Sequence, residues 1–212
     1  MVRKAALHLF AAAAVLAGGI APALSHPHVI VTGKSEVVFG KDGAVAAVRH
    51  AWTFDEMFSE YATQGLDKNK DGVLSRDELA ELAKVNVESL KEFEYFTTGK
   101  SGPGKLEFAE PTDYYLEHKD KLLTLHFTLP VKAGSQKGGM SLDVFDPTYF
   151  VAFNLAEENP VKLIDAPANC AFEVKRPKQD ATQTPTESFF NSLTAASDYG
   201  SQFANRVIVT CK

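Results

Sequence analysis

Cysteine is scarce in this chain: among 212 residues only Cys170 and Cys211 occur. Neither has a histidine or another cysteine close by in sequence, so a thiolate metal site is disfavoured. In an oxidising compartment two cysteines most simply form one disulfide, which would link the C-terminal strand to an earlier one. On the loop-entropy estimate we expect such a bond to stabilise the fold by about 4 kcal/mol.

The sequence also has no excess of basic residues. Lysine and arginine total 22 against 27 aspartates and glutamates, which gives a formal net charge of −5. This balance gives no general attraction for nucleic acid and suits a protein that handles cations. The sequence lacks a Gly-x-Ser-x-Gly elbow, a Gly-x-x-x-x-Gly-Lys phosphate loop and a His-Glu-x-x-His helix. We therefore predict that the protein is not an enzyme.

A long apolar run occurs only near the N-terminus, from Ala5 to Ile20, behind two basic residues. The run is short for a membrane span, and Pro22 and small residues follow it, which is typical of a secretory signal peptide. An uncleaved anchor is the alternative. We expect residues 1–25 to be removed, with cleavage after Ala23 or after Ser25. The exported chain is then predicted to be periplasmic, without a membrane span.

The segment from Asp67 to Glu78 matches a calcium-binding EF-hand loop. Ca²⁺ takes about six to eight oxygen ligands, which such a loop supplies from fixed positions. Gly72 stands at the sixth position, where the loop turns sharply. The six ligand positions are filled by Asp67, Asn69, Asp71, Val73 through its carbonyl, Ser75 and Glu78. We therefore predict a Ca²⁺ site. Because we find no second loop of this kind, a structural or weakly regulatory ion is favoured over a paired sensor.

Hydrophobic periodicity predicts the rest of the fold. Alternating apolar residues indicate strands over 28–39 and 44–54, with further strands from residue 105 onward, whereas helical spacing surrounds the calcium loop. We expect Gly99 to Gly104 to be a flexible connector, residues 186–196 to be helical, and a second helix to restart near Asn86. The predicted class is α+β: one antiparallel, β-sandwich-like domain over 26–212, with a helical EF-hand insertion over 55–98.

Four histidines suggest a second metal site. If cleavage follows Ser25, His26 places a free amine beside its imidazole, and His28 is a further ligand. Because strands 28–39 and 44–54 are expected to pair, His50 would approach His28, with His126 as another candidate. Such a set suits Zn²⁺, Ni²⁺, Co²⁺ or Cu²⁺. The alternatives are a core histidine at position 50, a strand-surface histidine at 126 and an exposed N-terminal tail.

Four motifs in order resemble one family across nearly the whole exported chain. They are His26-Pro-His28, Trp52-Thr-Phe-Asp-Glu56, Phe145-Asp-Pro-Thr-Tyr-Phe150 and Gln202-Phe-Ala-Asn-Arg-Val-Ile-Val-Thr-Cys211. The family comprises uncharacterised bacterial periplasmic proteins labelled as the periplasmic component of an ABC-type transport system. The resemblance implies a periplasmic location and association with nickel, cobalt or zinc transport permeases, and it supplies no catalytic residue.

The resulting hypothesis is a non-enzymatic periplasmic calcium-binding protein that assists divalent transition-metal transport or homeostasis, with an inner-membrane metal transporter as its partner. Two alternatives stay open. One is a calcium-stabilised interaction module without a transition-metal role, and the other is a copper enzyme that uses the N-terminal His26.

Overall fold

The computed structural model describes residues 27–134, 138–177 and 199–212. Over these residues the chain forms two α-helices and twelve strands, with 3-10 turns at Lys91–Phe96 and Tyr199–Phe203. In chain order they are β1 Val29–Phe39, β2 Val45–Phe54, α1 Glu56–Thr63, α2 Arg76–Leu90, β3 Thr97–Ser101, β4 Gly104–Lys105, β5 Glu107–Phe108, β6 Thr112–Lys119, β7 Leu122–Ala133, β8 Gly139–Val144, β9 Val151–Leu155, β10 Val161–Ile164, β11 Cys170–Lys175 and β12 Asn205–Cys211. The predicted signal peptide, His26 and the predicted helix at 186–196 lie outside the described residues.

The strands form two sheets. The larger one has seven strands, with β10, β1, β2, β7 and β5 in order; β9 also pairs with β1, and β6 also pairs with β7. The smaller one has five strands in the order β11, β12, β8, β3 and β4. Strands dominate and two short helices accompany them, so the predicted α+β class is confirmed.

Two pairings of β1 differ from the antiparallel expectation. Strand β1 pairs antiparallel with β2, but on its other side it pairs parallel with β9 over its first half and with β10 over its second half. Antiparallel pairing holds throughout the five-stranded sheet. The domain therefore has one mixed sheet and one antiparallel sheet.

The two sheets share a single hydrophobic core. Strand β1 alternates buried and exposed side chains along its whole length, as the period of a strand requires. Its inward residues and those of β2 and β7, such as Trp52 and Leu125, belong to the same buried cluster as Leu142 and Val207 of the smaller sheet. Asn205 of β12 also crosses between the sheets, donating to the carbonyl of Phe153 at 2.6 Å. This packing confirms the sandwich-like arrangement of the two sheets.

Two local predictions were wrong. The stretch from Gly99 to Gly104 is not a flexible connector, because β3 includes Gly99 and pairs with β8, and β4 begins at Gly104. No helix restarts at Asn86 either: α2 runs unbroken through it, and the Asn86 amide donates to the carbonyl of Leu82 one turn earlier at 2.8 Å. The helical part of the insertion therefore ends earlier than predicted, and residues 97 and 98 belong to the smaller sheet.

The predicted disulfide is present. Cys170 and Cys211 stand opposite each other at the ends of β11 and β12, with their Cα atoms 4.0 Å apart and their sulfurs bonded. The bond therefore fastens the edge strand of the smaller sheet to its neighbour. Within the part of the chain that the structure describes, no helix is long and apolar enough to cross a membrane.

Candidate metal centre

Two capped helices hold the predicted calcium loop. Asp55 caps α1 by accepting the amide of Phe58 at 2.8 Å, and its other carboxylate oxygen accepts the amide of Ile30 on β1 at 2.8 Å. Buried Ser59 then accepts the amide of Leu123 on β7 at 2.9 Å. These side-chain bonds attach the entering helix to the larger sheet, so the loop is anchored on that side.

Side-chain oxygens within the loop bind its own main chain. The amide of Asp71 donates to Oδ1 of Asp67 at 3.2 Å and to Oδ1 of Asn69 at 2.9 Å. The amide of Gly72 donates to Oδ2 of Asp67 at 3.0 Å, and that of Val73 donates to Oδ1 of Asp71 at 2.8 Å. Gly72 has a φ of +80°, the left-handed conformation that glycine adopts without steric cost. The chain therefore turns at the position where the calcium-loop pattern requires it.

Glu78, at the twelfth position, lies in the first turn of α2. It forms a capping box with Ser75: the Ser75 amide and hydroxyl donate to Oε2 at 3.0 and 2.8 Å, and the Glu78 amide donates back to the Ser75 hydroxyl at 3.3 Å. Its Oε1 accepts the amide of Lys68 at 2.9 Å. These bonds from Ser75 and Lys68 lower the pKa of Glu78 from 4.5 to about 2, so the side chain is a carboxylate at any ordinary pH.

The donor chemistry of the loop fits a hard cation. It offers carboxylate, carboxamide, hydroxyl and main-chain carbonyl oxygens and no nitrogen or sulfur ligand, which is the set that calcium prefers. Val73, which would give its carbonyl, is 64 % exposed, so water and ions reach the loop. Across the described ranges no three His, Cys, Asp or Glu side chains are gathered closely enough to hold a metal. To hold an ion, the loop side chains would have to draw together, and Glu78 would exchange its capping bonds for it.

His50 lies inside the core, only 2 % exposed. Its Nδ1 is 3.0 Å from the Ser35 hydroxyl and its Nε2 is 3.3 Å from the Thr97 hydroxyl. Because the Thr97 hydroxyl donates its proton to the carbonyl of Tyr95 at 2.8 Å, Nε2 is the donor to Thr97 and Nδ1 accepts from Ser35. Both nitrogens are thus satisfied in a neutral ring, and burial lowers the pKa of His50 from 6.5 to about 3.

The predicted approach of His28 to His50 is wrong. His50 pairs with Ser35, seven residues along β1 from His28, which corresponds to roughly 23 Å at the rise of a strand. His28 instead packs its ring against Phe150, with centroids 4.7 Å apart. His126 pairs with Ala51 and faces the opposite side of the sheet from His50. The three candidate histidines that the structure describes, His28, His50 and His126, therefore do not form a shared site.

His126 has its own surroundings on the outer face of the larger sheet. Its ring stacks on Tyr115 with centroids 4.5 Å apart, and its Nε2 lies 3.6 Å from the Glu117 carboxylate. That nitrogen is buried and has no hydrogen-bond partner among the residues that the structure describes. Burial lowers the pKa of His126 despite the opposing effect of Glu117.

One contact of the loop was missed from the sequence. Arg76, the first residue of α2 and the tenth of the loop, lies over the Tyr115 ring with its guanidinium carbon 3.8 Å from the centroid. A cation over an aromatic face contributes about 0.5–1 kcal/mol at an exposed site. The contact depends on the packing of α2 against β6, which no local pattern predicts. Because Tyr115 stands opposite His126, the contact links the calcium loop through Tyr115 to His126.

Comparison with other proteins finds similarity over most of this chain. The chain is 23% identical to an uncharacterised protein of Haemophilus influenzae over 194 residues, which cover 89% of this chain and 92% of that protein. It is also 30% identical over 98 residues to an uncharacterised 15.5 kDa protein in the trpE 3′ region of Spirochaeta aurantia. That match covers 46% of this chain and 70% of the other protein. Residues 11–211 match the family described as "Protein of unknown function (DUF1007)". This chain therefore belongs to the DUF1007 family.

Proposed function

We propose that this protein binds one calcium ion through the loop Asp67 to Glu78. The observation that carries the proposal is the agreement between the oxygen donors at every ligand position and a backbone that turns at Gly72 and enters α2 at Ser75. When bound, the ion supplies positive charge that draws the loop carboxylates together. The loop residues supply the oxygens, and in the absence of the ion the capping box fixes where α2 begins.

The ion serves the fold in this proposal. Helix α2 buries Leu79, Ala83 and Val87 against the core, and it begins at the loop. Fixing the loop therefore fixes the start of a helix that covers the larger sheet. A single, exposed loop in an exported protein suits weak binding, about 10⁻⁴–10⁻³ M in extracellular modules.

The setting that we propose is the periplasm, with a non-enzymatic role beside an inner-membrane metal transporter. The support is sequence alone: the signal-like residues 1–25, the acidic balance and the family resemblance. The transition-metal part of the role rests on the N-terminal amine, His26 and His28, because His50 is occupied in the core. It stays a prediction, and calorimetry with Zn²⁺, Ni²⁺, Co²⁺ and Cu²⁺ on exported protein of known N-terminus tests it.

Glu78→Gln tests the calcium proposal. The substitution keeps a side chain that can accept in the capping box but removes the charge and the bidentate carboxylate of the twelfth position. We expect calcium affinity, measured by isothermal titration calorimetry on the exported protein, to fall by at least about tenfold, since ligand charge sets the affinity of such loops.

Glu81→Gln is the matched control. It makes the same charge change one turn later on an exposed position of α2, outside the ligand set. Calcium affinity within about twofold of the original chain is expected there, because exposed charges are screened. Absence of heat and of any spectral change up to several millimolar calcium in the original chain, or equal weakening by both variants, would contradict the proposal.

A further inference from the structure

A pocket lined by both charged and apolar groups lies on the outer face of the larger sheet. Its volume is about 450 Å³, within the range of small-molecule sites. Its centre is a row across four adjacent strands: Lys34 stands opposite Ala51, Ala51 opposite His126, and His126 opposite Tyr115. Alternation along each strand turns these side chains away from the buried cluster.

Cations outnumber carboxylates around this pocket. Lys34, Arg49 and Lys162 line it together with Glu36 and Asp113. Arg49 is paired with Glu36 at 3.4 Å, whereas Lys34 and Lys162 have no ion-pair partner among the residues that the structure describes. With Arg49 and Glu36 paired, the two lysines face only one further carboxylate, that of Asp113, so the pocket is locally positive in a chain with a net charge of −5.

The pocket also has a flat wall and open space beside it. The stacked rings of Tyr115 and His126 lie 12° from parallel, and Arg76 covers Tyr115. Ala51, between Lys34 and His126, has only a methyl group and so leaves room above the sheet. Stacking and strand pairing hold these rings in place before a ligand binds. Binding therefore loses little side-chain entropy at this wall.

We propose that this pocket binds a small molecule carrying a carboxylate or a phosphate. Its anion contacts Lys34 of β1 and Lys162 of β10, which share one face of the sheet because Lys162 is opposite Glu36. The Glu36 carboxylate, which stands between them, is paired with Arg49. The body of the small molecule occupies the space above Ala51, against the ring of His126. This site uses none of the calcium ligands, so the proposal holds whether or not the loop binds an ion.

The test is a titration of the exported protein followed by two-dimensional NMR, with succinate as the carboxylate probe and inorganic phosphate as the other, both at fixed ionic strength. We expect saturable shifts of the amides around Lys34, Ala51 and His126. The stronger probe identifies the anion class. Lys34→Ala combined with Lys162→Ala should weaken binding by at least about tenfold, because both charges that face the anion are lost.

Two further variants separate binding in this pocket from a general effect of charge. Ala51→Phe fills the space without changing any charge, and we expect it to abolish saturable binding. Lys84→Ala removes one positive charge from an exposed position of α2 and should change affinity less than about twofold. Absence of saturable shifts with both probes overturns the proposal. So does binding that survives in the double lysine variant, whose exposed positions leave the fold intact.

Discussion

At the scale of single residues, His50 makes the stability of the fold depend on pH. It is held neutral by burial between the rings of Trp52 and Phe127, each with its centroid 5.2 Å away, and by the hydroxyls of Ser35 and Thr97. The pKa of His50 is about 3 in the folded protein, against 6.5 for an exposed histidine. Between these values the unfolded chain binds a proton that the folded chain does not.

We therefore expect acid to destabilise the protein through His50. The contribution of His50 is fully present above pH 6.5 and is lost as the pH falls toward 3, because the unfolded state gains the proton first. Between pH 7 and pH 5 this amounts to roughly 2 kcal/mol of unfolding free energy. Urea denaturation at the two pH values measures the loss, and His50→Gln, which does not titrate, isolates it.

Carboxylates titrate in both proteins. The quantity to compare is therefore the loss of unfolding free energy between pH 7 and pH 5 in the original chain and in His50→Gln. His50→Gln is expected to be less stable at pH 7, where it replaces a satisfied ring, but to lose less stability on acidification than the original chain. An equal loss in both proteins would show that the folded and unfolded chains protonate His50 alike.

At the scale of elements, α2 is the connection between the calcium loop and the sheet. Arg76 stands at the helix N-terminus, where the helix dipole disfavours a cation, so its place over Tyr115 compensates that cost. Arg76 also lowers the pKa of His126, after burial and against Glu117. Calcium bound at the loop should therefore be sensed by the His126 ring through Arg76 and Tyr115.

Arg76→Ala tests this connection. We expect calcium to shift the His126 ring resonances in the original chain, because the loop and Arg76 are contiguous, and to shift them at least about twofold less in the variant, since the contact with Tyr115 is gone. Proton NMR of the histidine rings is the measurement, and Lys84→Ala on the same helix is the control. Undiminished shifts in Arg76→Ala would mean that the coupling follows another path.

The elements themselves were largely predictable from the sequence because their signals are local. Alternation gave the strands around residues 29–54 to within a residue or so, and the fixed offsets of the loop gave its donors. Pairing is not local: the parallel contacts of β1 with β9 and β10 join segments far apart in the chain. Gly99 was misread for a similar reason. It pairs with Leu142 of β8 and leaves room for Leu106, whose Cδ1 would lie 2.8 Å from an added Cβ.

The same limit applied to the candidate sites. The calcium loop is continuous in sequence, and its residues could be named before the fold was known. The histidines depend on register, which placed His50 in the core and His126 on the outer face. The pocket beside Ala51 draws on several strands, so no sequence pattern pointed to it.

At the scale of the whole molecule, the sheets are joined by a common core and the C-terminal edge is closed by Cys170 and Cys211. Strand β11 is mostly exposed and pairs on one side with β12, so it buries little surface of its own. The disulfide closes a segment of 41 residues by sequence separation. It therefore restricts the unfolded chain more than it adds contacts to the folded one.

Reduction should lower the unfolding free energy by about 3 to 4 kcal/mol on the loop-entropy estimate. Urea denaturation with and without a phosphine reductant measures the change, with thiol titration to show that the bond has opened. The double variant Cys170→Ser with Cys211→Ser should have the unfolding free energy of the reduced protein, and the reductant should not change it. If opened thiols left the urea midpoint of the original chain unchanged, the edge would be held by the β11–β12 pairing alone. A loss far above this estimate would instead mean that β12, which lies between β11 and β8 and carries buried Val207 and Val209, leaves the core with it.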